Sequence, residues 1–139
     1  RSILWGKGVE FMKVLSVDDS AMVRKIIRGA VEVLDGNLLE ASDGIEALEI
    51  LEKEYKSIDL ILLDWNMPRL NGMEVLKRLK ADKRFRAIPV MMVTTESERQ
   101  NIVKAIQQGA IHYLVKPFTI EELVKRIMES LGKGGHRDA

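Results

Sequence analysis

The sequence predicts an α/β domain, a parallel β-sheet covered by helices on both faces. Three observations predict it. Short apolar runs alternate with helical patterns from Lys13 to Leu131, joined by short connections. The third run, Leu60 to Leu63, is apolar at every position, as a strand buried on both faces must be. Two of the runs stop abruptly at acidic residues, Asp18-Asp19 and Asp64. A parallel sheet gathers such strand ends along one rim, where open α/β folds hold their ligands.

Composition narrows the function classes. At 139 residues, 46% hydrophobic and 31% charged, the chain fits one globular domain. A net charge of +1 gives no electrostatic case for a nucleic-acid or membrane partner. Cysteine is absent, which excludes disulfides and thiolate metal sites and suits the cytoplasm. No apolar run is long enough to span a bilayer, and no signal-peptide pattern stands at the N-terminus.

Residues 1–11 show no clean period, and Met12 directly precedes the first strand pattern. They are expected to be an upstream extension or a cloning scar, outside a domain of residues 12–131. Lys13 to Val17 is the first strand. Ser20 can cap the helix that follows, with Val23, Ile26, Ile27, Ala30, Val31 and Leu34 inward and Arg24, Lys25 and Arg28 outward. Asp35-Gly36-Asn37 stops it, and Leu38 to Ala41 is the second strand. A helix from Ile45 to Glu54 buries Leu48 and Leu51. Asp59 to Leu63 is the third strand, and Asn71-Gly72 opens a helix with Val75, Leu76 and Leu79 inward. Pro89 opens the fourth strand, Val90 to Val93, because proline is tolerated at a strand's first residue. Ser97 can cap a fourth helix that buries Ile102, Val103 and Ile106 and closes at Gln108-Gly109. Ile111 to Val115 is the fifth strand. Thr119 and Glu122 form a capping box for the last helix, with Leu123, Ile127, Met128 and Leu131 as its inner face. Residues 132–139 read as a flexible tail.

Asp18, Asp19, Asp64, Thr94 and Lys116 all fall at the C-terminal ends of strands and so share one rim. Taken singly, each has an ordinary reading: an Asp pair caps helices, a threonine bonds local backbone, a lysine is solvated. Together they are chemically coherent. Clustered carboxylates need a cation or protons to coexist, and hard oxygen ligands suit Mg²⁺. Asp64 can act as a nucleophile on phosphorus, with Lys116 neutralising charge on the phosphoryl group and the Thr94 hydroxyl donating to it.

The spacing of Asp18-Asp19, Asp64, Thr94 and Lys116-Pro117 resembles the receiver domain of two-component response regulators, and Trp65-Asn66-Met67-Pro68 resembles its chemotaxis branch. The resemblance implies a flavodoxin-like (βα)5 three-layer sandwich with a five-stranded parallel sheet in the order 2-1-3-4-5. Asp64 would be the phosphoacceptor. Asp19, Asp64 and the Asn66 main-chain carbonyl would ligate Mg²⁺, with Asp18 acting mainly through water. Thr94 and Lys116 would bind the phosphoryl group, and Tyr113 would be the switch aromatic that turns inward as Thr94 moves. Asn66 and Glu96 would tune loss of the phosphoryl group, and the Lys116-Pro117 bond would be cis. The implied partners are a histidine kinase as phosphodonor and a downstream protein such as a flagellar motor switch component, with room for a phosphatase. The implied state is a cytoplasmic monomer that catalyses only its own phosphorylation and dephosphorylation. A receiver in a phosphorelay outside chemotaxis is the alternative.

A Mg²⁺-dependent phosphatase passing through an aspartyl phosphate is less favoured, because Asn66, not an acid, stands two residues after Asp64. A flavodoxin-like cofactor binder would need a glycine-rich phosphate loop after the first strand, where Asp18-Asp19-Ser20 stands instead. A DNA-binding regulator is disfavoured because no helix-turn-helix pattern follows Leu131.

Overall fold

Five strand-and-helix units build one parallel sheet. The structure, a computed structural model, describes the backbone of residues 3–5, 8–10 and 12–134. The strands are β1 (Lys13–Val17), β2 (Asn37–Ala41), β3 (Leu60–Leu63), β4 (Val90–Thr94) and β5 (His112–Val115). The helices are α1 (Ala21–Val33), α2 (Gly44–Glu54), α3 (Gly72–Ala81), α4 (Arg99–Gln107) and α5 (Ile120–Gly134), and a 3-10 turn, Tyr55–Ser57, follows α2. All neighbouring strands are parallel, in the order β2-β1-β3-β4-β5. Ile3–Trp5 and Gly8–Glu10 pair as a separate antiparallel ribbon, where the sequence offered no pattern.

Strand alternation divides the core. Leu60 and Leu62 face one way with Val14, Met91 and Val93, against Ile27, Ala30 and Val31 of α1 and Leu123, Ile127 and Leu131 of α5. Ile61 and Leu63 face the other way with Leu15, Val17, Val90 and Met92, against Leu51 of α2, Val75, Leu76 and Leu79 of α3 and Ala105 of α4. This is the three-layer arrangement in which parallel sheets bury both faces.

Caps set where helices begin. Ser20 Oγ accepts the Val23 N–H, and Asp43 accepts that of Glu46. Asn71 and Glu74 form a reciprocal capping box at α3, as do Thr119 and Glu122 at α5. At α4 the structure corrects the expectation. Glu98, not Ser97, is the N-cap residue, and it makes no side-chain cap bond. Val103 and Ile106 are about half exposed, and the buried residue of α4 is Ala105. Met128 is 59% exposed; Ser130, which lies on the Leu123-Ile127-Leu131 stripe, is buried in its place. The last helix also runs past Leu131 to Gly134; the remaining residues of the expected tail, 135–139, lie outside the described ones.

Candidate functional site

Strand register assembles the site. Val17 of β1 pairs with Leu63 of β3, so the next residues, Asp18 and Asp64, stand side by side. The ladder extends just far enough to fix them: Asp64 N–H donates to the Val17 carbonyl and Asp18 N–H to that of Ala41, both at 3.0 Å. Thr94 pairs with Val115 across β4 and β5, and Lys116 N–H donates to the Thr94 carbonyl at 2.9 Å. Asp18, Asp64 and Thr94 are buried, whereas Asp19 is exposed.

One ammonium ties the rim together. Lys116 Nζ donates to Asp18 Oδ2 at 2.8 Å and to Asp64 Oδ2 at 3.2 Å, with only 10% of its side chain exposed. The second oxygen of each aspartate braces its own loop. Asp18 Oδ1 accepts the Ser20 N–H at 2.8 Å, and Asp64 Oδ1 accepts the Asn66 N–H at 3.3 Å. Burial pushes the Asp18 carboxyl above the usual carboxylate range, helped by the charge of Asp64, although Lys116 and the Ser20 N–H work against it. Burial also pulls the Lys116 ammonium down, but its bonds and proximity to Asp18 and Asp64 outweigh that, and the net direction is upward. Lys116 therefore stays charged, as a carboxylate cluster requires.

Carboxylate oxygens of Asp18, Asp19 and Asp64 lie within 4.8 Å of one another and could hold a metal ion. Three anionic oxygen donors, two of them already bridged by a cation, fit a hard divalent metal better than a soft one.

The remaining residues lie around this cluster. Asn66 is exposed on the loop after Asp64. Thr94 Oγ1 accepts the Glu96 N–H at 3.2 Å, and the Tyr113 hydroxyl donates to the Glu96 carbonyl at 2.7 Å. One peptide segment thus joins the strand-end hydroxyl to the aromatic side chain. Glu96 turns its carboxylate to Asn101 Nδ2 at 3.0 Å and to the Glu98 N–H, bonds that hold it below its ordinary pKa. The Lys116–Pro117 peptide is cis.

Sequence reasoning missed two supports. Arg24 reads as part of a solvated helix face, yet its Nε donates to the Asp18 carbonyl at 2.9 Å. Gly72 reads only as a helix start, yet a Cβ there would run into the backbone of Asp64 and Trp65, and its N–H donates to the Trp65 carbonyl at 2.8 Å. The Asn71-Gly72 pair was the available signal for the second, and nothing in the sequence pointed to the first.

A family model described as the response regulator receiver domain matches residues 14–128. The chain is 38% identical over 129 residues to a chemotaxis protein CheY homolog of Campylobacter jejuni, covering 92% of this chain and 98% of the relative. Among solved structures, the chemotaxis response regulator CheY4 of Vibrio cholerae superposes with a TM-score of 0.81 at 33% identity, covering 88% of this chain and 100% of that one. A CheX-CheY-BeF3-Mg²⁺ complex from Borrelia burgdorferi contains a chain with a TM-score of 0.79 and 27% identity, covering 85% of this chain and 87% of that one.

Proposed function

The chain belongs to the receiver-domain family of response regulators, and from that premise we propose that it is a phosphorylation-controlled signalling module in which Asp64 is the phosphoacceptor. The observation that carries this reading is the bridge from Lys116 Nζ to both Asp18 and Asp64 at a buried strand rim. In the reaction, an Asp64 carboxylate oxygen attacks the phosphorus of a phosphohistidine on a sensor kinase. The new P–O bond forms as the P–N bond breaks, and the electron pair leaves with the imidazole nitrogen, which takes up a proton.

Asp19, Asp64 and the Asn66 main-chain carbonyl would hold Mg²⁺, with Asp18 acting mainly through water; the ion would supply charge neutralisation for the phosphoryl oxygens. Lys116 exchanges its Asp64 bond for a phosphoryl oxygen, and the Thr94 hydroxyl donates to another. Because Thr94 and Tyr113 bond the same residue's N–H and C=O, moving the hydroxyl toward the phosphoryl group shifts the segment that Tyr113 holds. The acyl phosphate then biases an equilibrium between conformations of the face built from α4, β5 and α5. Exposed Val103 and Ile106 on α4 suit a protein partner there. Asn66 and Glu96, flanking the site, tune hydrolysis of the acyl phosphate.

The relatives' names favour a chemotaxis output; within that reading the donor is a histidine kinase, the target is a downstream protein such as a flagellar motor switch component, and the chain works in the cytoplasm. A Borrelia relative in complex with CheX supports a further protein partner for this chain, which we read as a phosphatase. Among the described residues no helix is long and apolar enough to cross a membrane. The test is incubation with Mg²⁺ and a small acyl phosphate, followed by intact mass and Trp65 fluorescence. The wild type gains one phosphoryl group and Asp64→Asn gains none; an unmodified wild type beside a modified authentic receiver refutes the reading.

A further inference from the structure

Resting on that reading, we propose that Arg69 is a positioning residue for the metal and phosphoryl site, acting through a latch on Asp43 that fixes the loop carrying Asn66. Arg69 has φ 69°, in the left-handed region that favours glycine. Across it, the Leu70 N–H donates to the Pro68 carbonyl at 2.7 Å, which makes a three-residue turn with a positive-φ centre, a rare and strained form. Such a conformation persists only where its surroundings over-determine it.

Two contacts do so here. The Arg69 Nε and Nη2 both donate to Asp43 Oδ2, at 2.9 and 2.7 Å. Asp43 cannot yield, because its other oxygen accepts the Glu46 N–H as the N-cap of α2. Beside the pair, Leu70 is buried against Gly44, where a Cβ would fall 2.9 Å from the Leu70 carbonyl oxygen. The loop after Asp64 is thereby fastened to the first turn of α2. At its two ends, Asn66 N–H reaches Asp64 Oδ1 and Gly72 N–H reaches the Trp65 carbonyl. A loop held at both ends and clamped in its middle presents the Asn66 carbonyl in one place, as outer-shell groups do for metal ligands.

The test compares Mg²⁺ affinity, from Trp65 quenching in a Trp5→Phe background, with the initial rate of phosphoryl gain measured by intact mass. Arg69→Ala raises the Mg²⁺ Kd about tenfold and slows phosphoryl gain. Arg69→Gly suits the backbone but lacks the guanidinium, and it weakens Mg²⁺ equally. Arg69→Lys recovers part of the loss. Asp43→Asn keeps a capping oxygen, matches Arg69→Ala, and the double variant is no worse than either single one. Because the Arg69 side chain is 58% exposed, added salt narrows the gap between wild type and Arg69→Ala. Wild-type affinity in Arg69→Ala and Asp43→Asn, or additive losses, overturns the latch. A wild type that binds Mg²⁺ yet gains no phosphoryl group overturns the phosphoacceptor reading, while the Mg²⁺ comparison still decides on Arg69. A wild type that binds no Mg²⁺ overturns both.

Discussion

Gly72 shows how little room the acidic rim has. Its missing Cβ lets α3 start against the Asp64 and Trp65 backbone, which cannot move aside without moving the cluster. Gly72→Ala therefore costs about 3 kcal/mol by overpacking, read as a fall in urea midpoint, and it weakens Mg²⁺ binding as well. Asp64→Asn acts in the opposite sense. It removes one of three clustered carboxylates but leaves an oxygen for Lys116, whose shorter bond is to Asp18 in any case. The metal-free variant is more stable than the wild type by about 1 kcal/mol at neutral pH, read as a rise in urea midpoint. Tyr113 carries a third prediction. Burial first, then the charges of Glu96 and Asp64, pushes its phenol up to about 12. Its contribution to stability is whole below the ordinary tyrosine value of about 10 and fades as pH rises through its own. Ultraviolet titration shows a tyrosinate component above the ordinary range that Tyr113→Phe removes; a Tyr113→Phe protein that keeps that component would contradict it.

At the scale of the element, α2 is the clearest case of a start signal with two functions. Asp43 caps the helix and also receives Arg69. The Glu46 N–H it accepts is the main cause holding its carboxyl below the usual range, against burial and together with Arg69. A lowered carboxylate adds stability above the unfolded value of about 3.9 and loses it as pH falls through the folded one. The difference in melting temperature between wild type and Asp43→Asn, wide at neutral pH, accordingly closes in acid. A constant difference down to about pH 3 would contradict this.

Elements differed in how far the sequence disclosed them. The strands were legible because both faces of the sheet are covered, so Leu60 to Leu63 had no polar alternation to obscure it. The rim residues were legible because strand ends are where an apolar run stops. Helix α4 departs from its sequence pattern because its apolar residues outnumber its buried ones: only Ala105 is fully covered, and Val103 and Ile106 remain partly outside. Ser130 carries no inward signal in the sequence because serine is polar, yet its hydroxyl is satisfied inside α5 by the Arg126 carbonyl at 2.8 Å. Gly72 and Arg69 escaped notice for a different reason. The Asn71-Gly72 pair signals a helix start but not the Asp64 and Trp65 backbone against it, and the partner of Arg69 is Asp43, 26 residues earlier in the chain.

Considered as a whole, the molecule places an electrostatically costly cluster on top of two apolar half-cores that share one sheet. The cores hold the strand ends in register, and the register holds three carboxylates near one ammonium. A cation that binds only the folded form stabilises it by mass action. Adding Mg²⁺ at a hundredfold excess over its Kd raises stability by about 2.7 kcal/mol, and Asp64→Asn loses most of that gain. Equal thermal shifts in both proteins would place the ion elsewhere.

The most direct measurement of the central claim is the position of the phosphoryl group in the modified chain. Fragment mass spectrometry, after trapping of the acyl phosphate, is predicted to locate one phosphoryl group on the segment from Leu60 to Pro68 and to assign it to Asp64. Modification at Asp18, Asp19, Ser20 or Thr94, with Asp64 unmodified, would contradict the account.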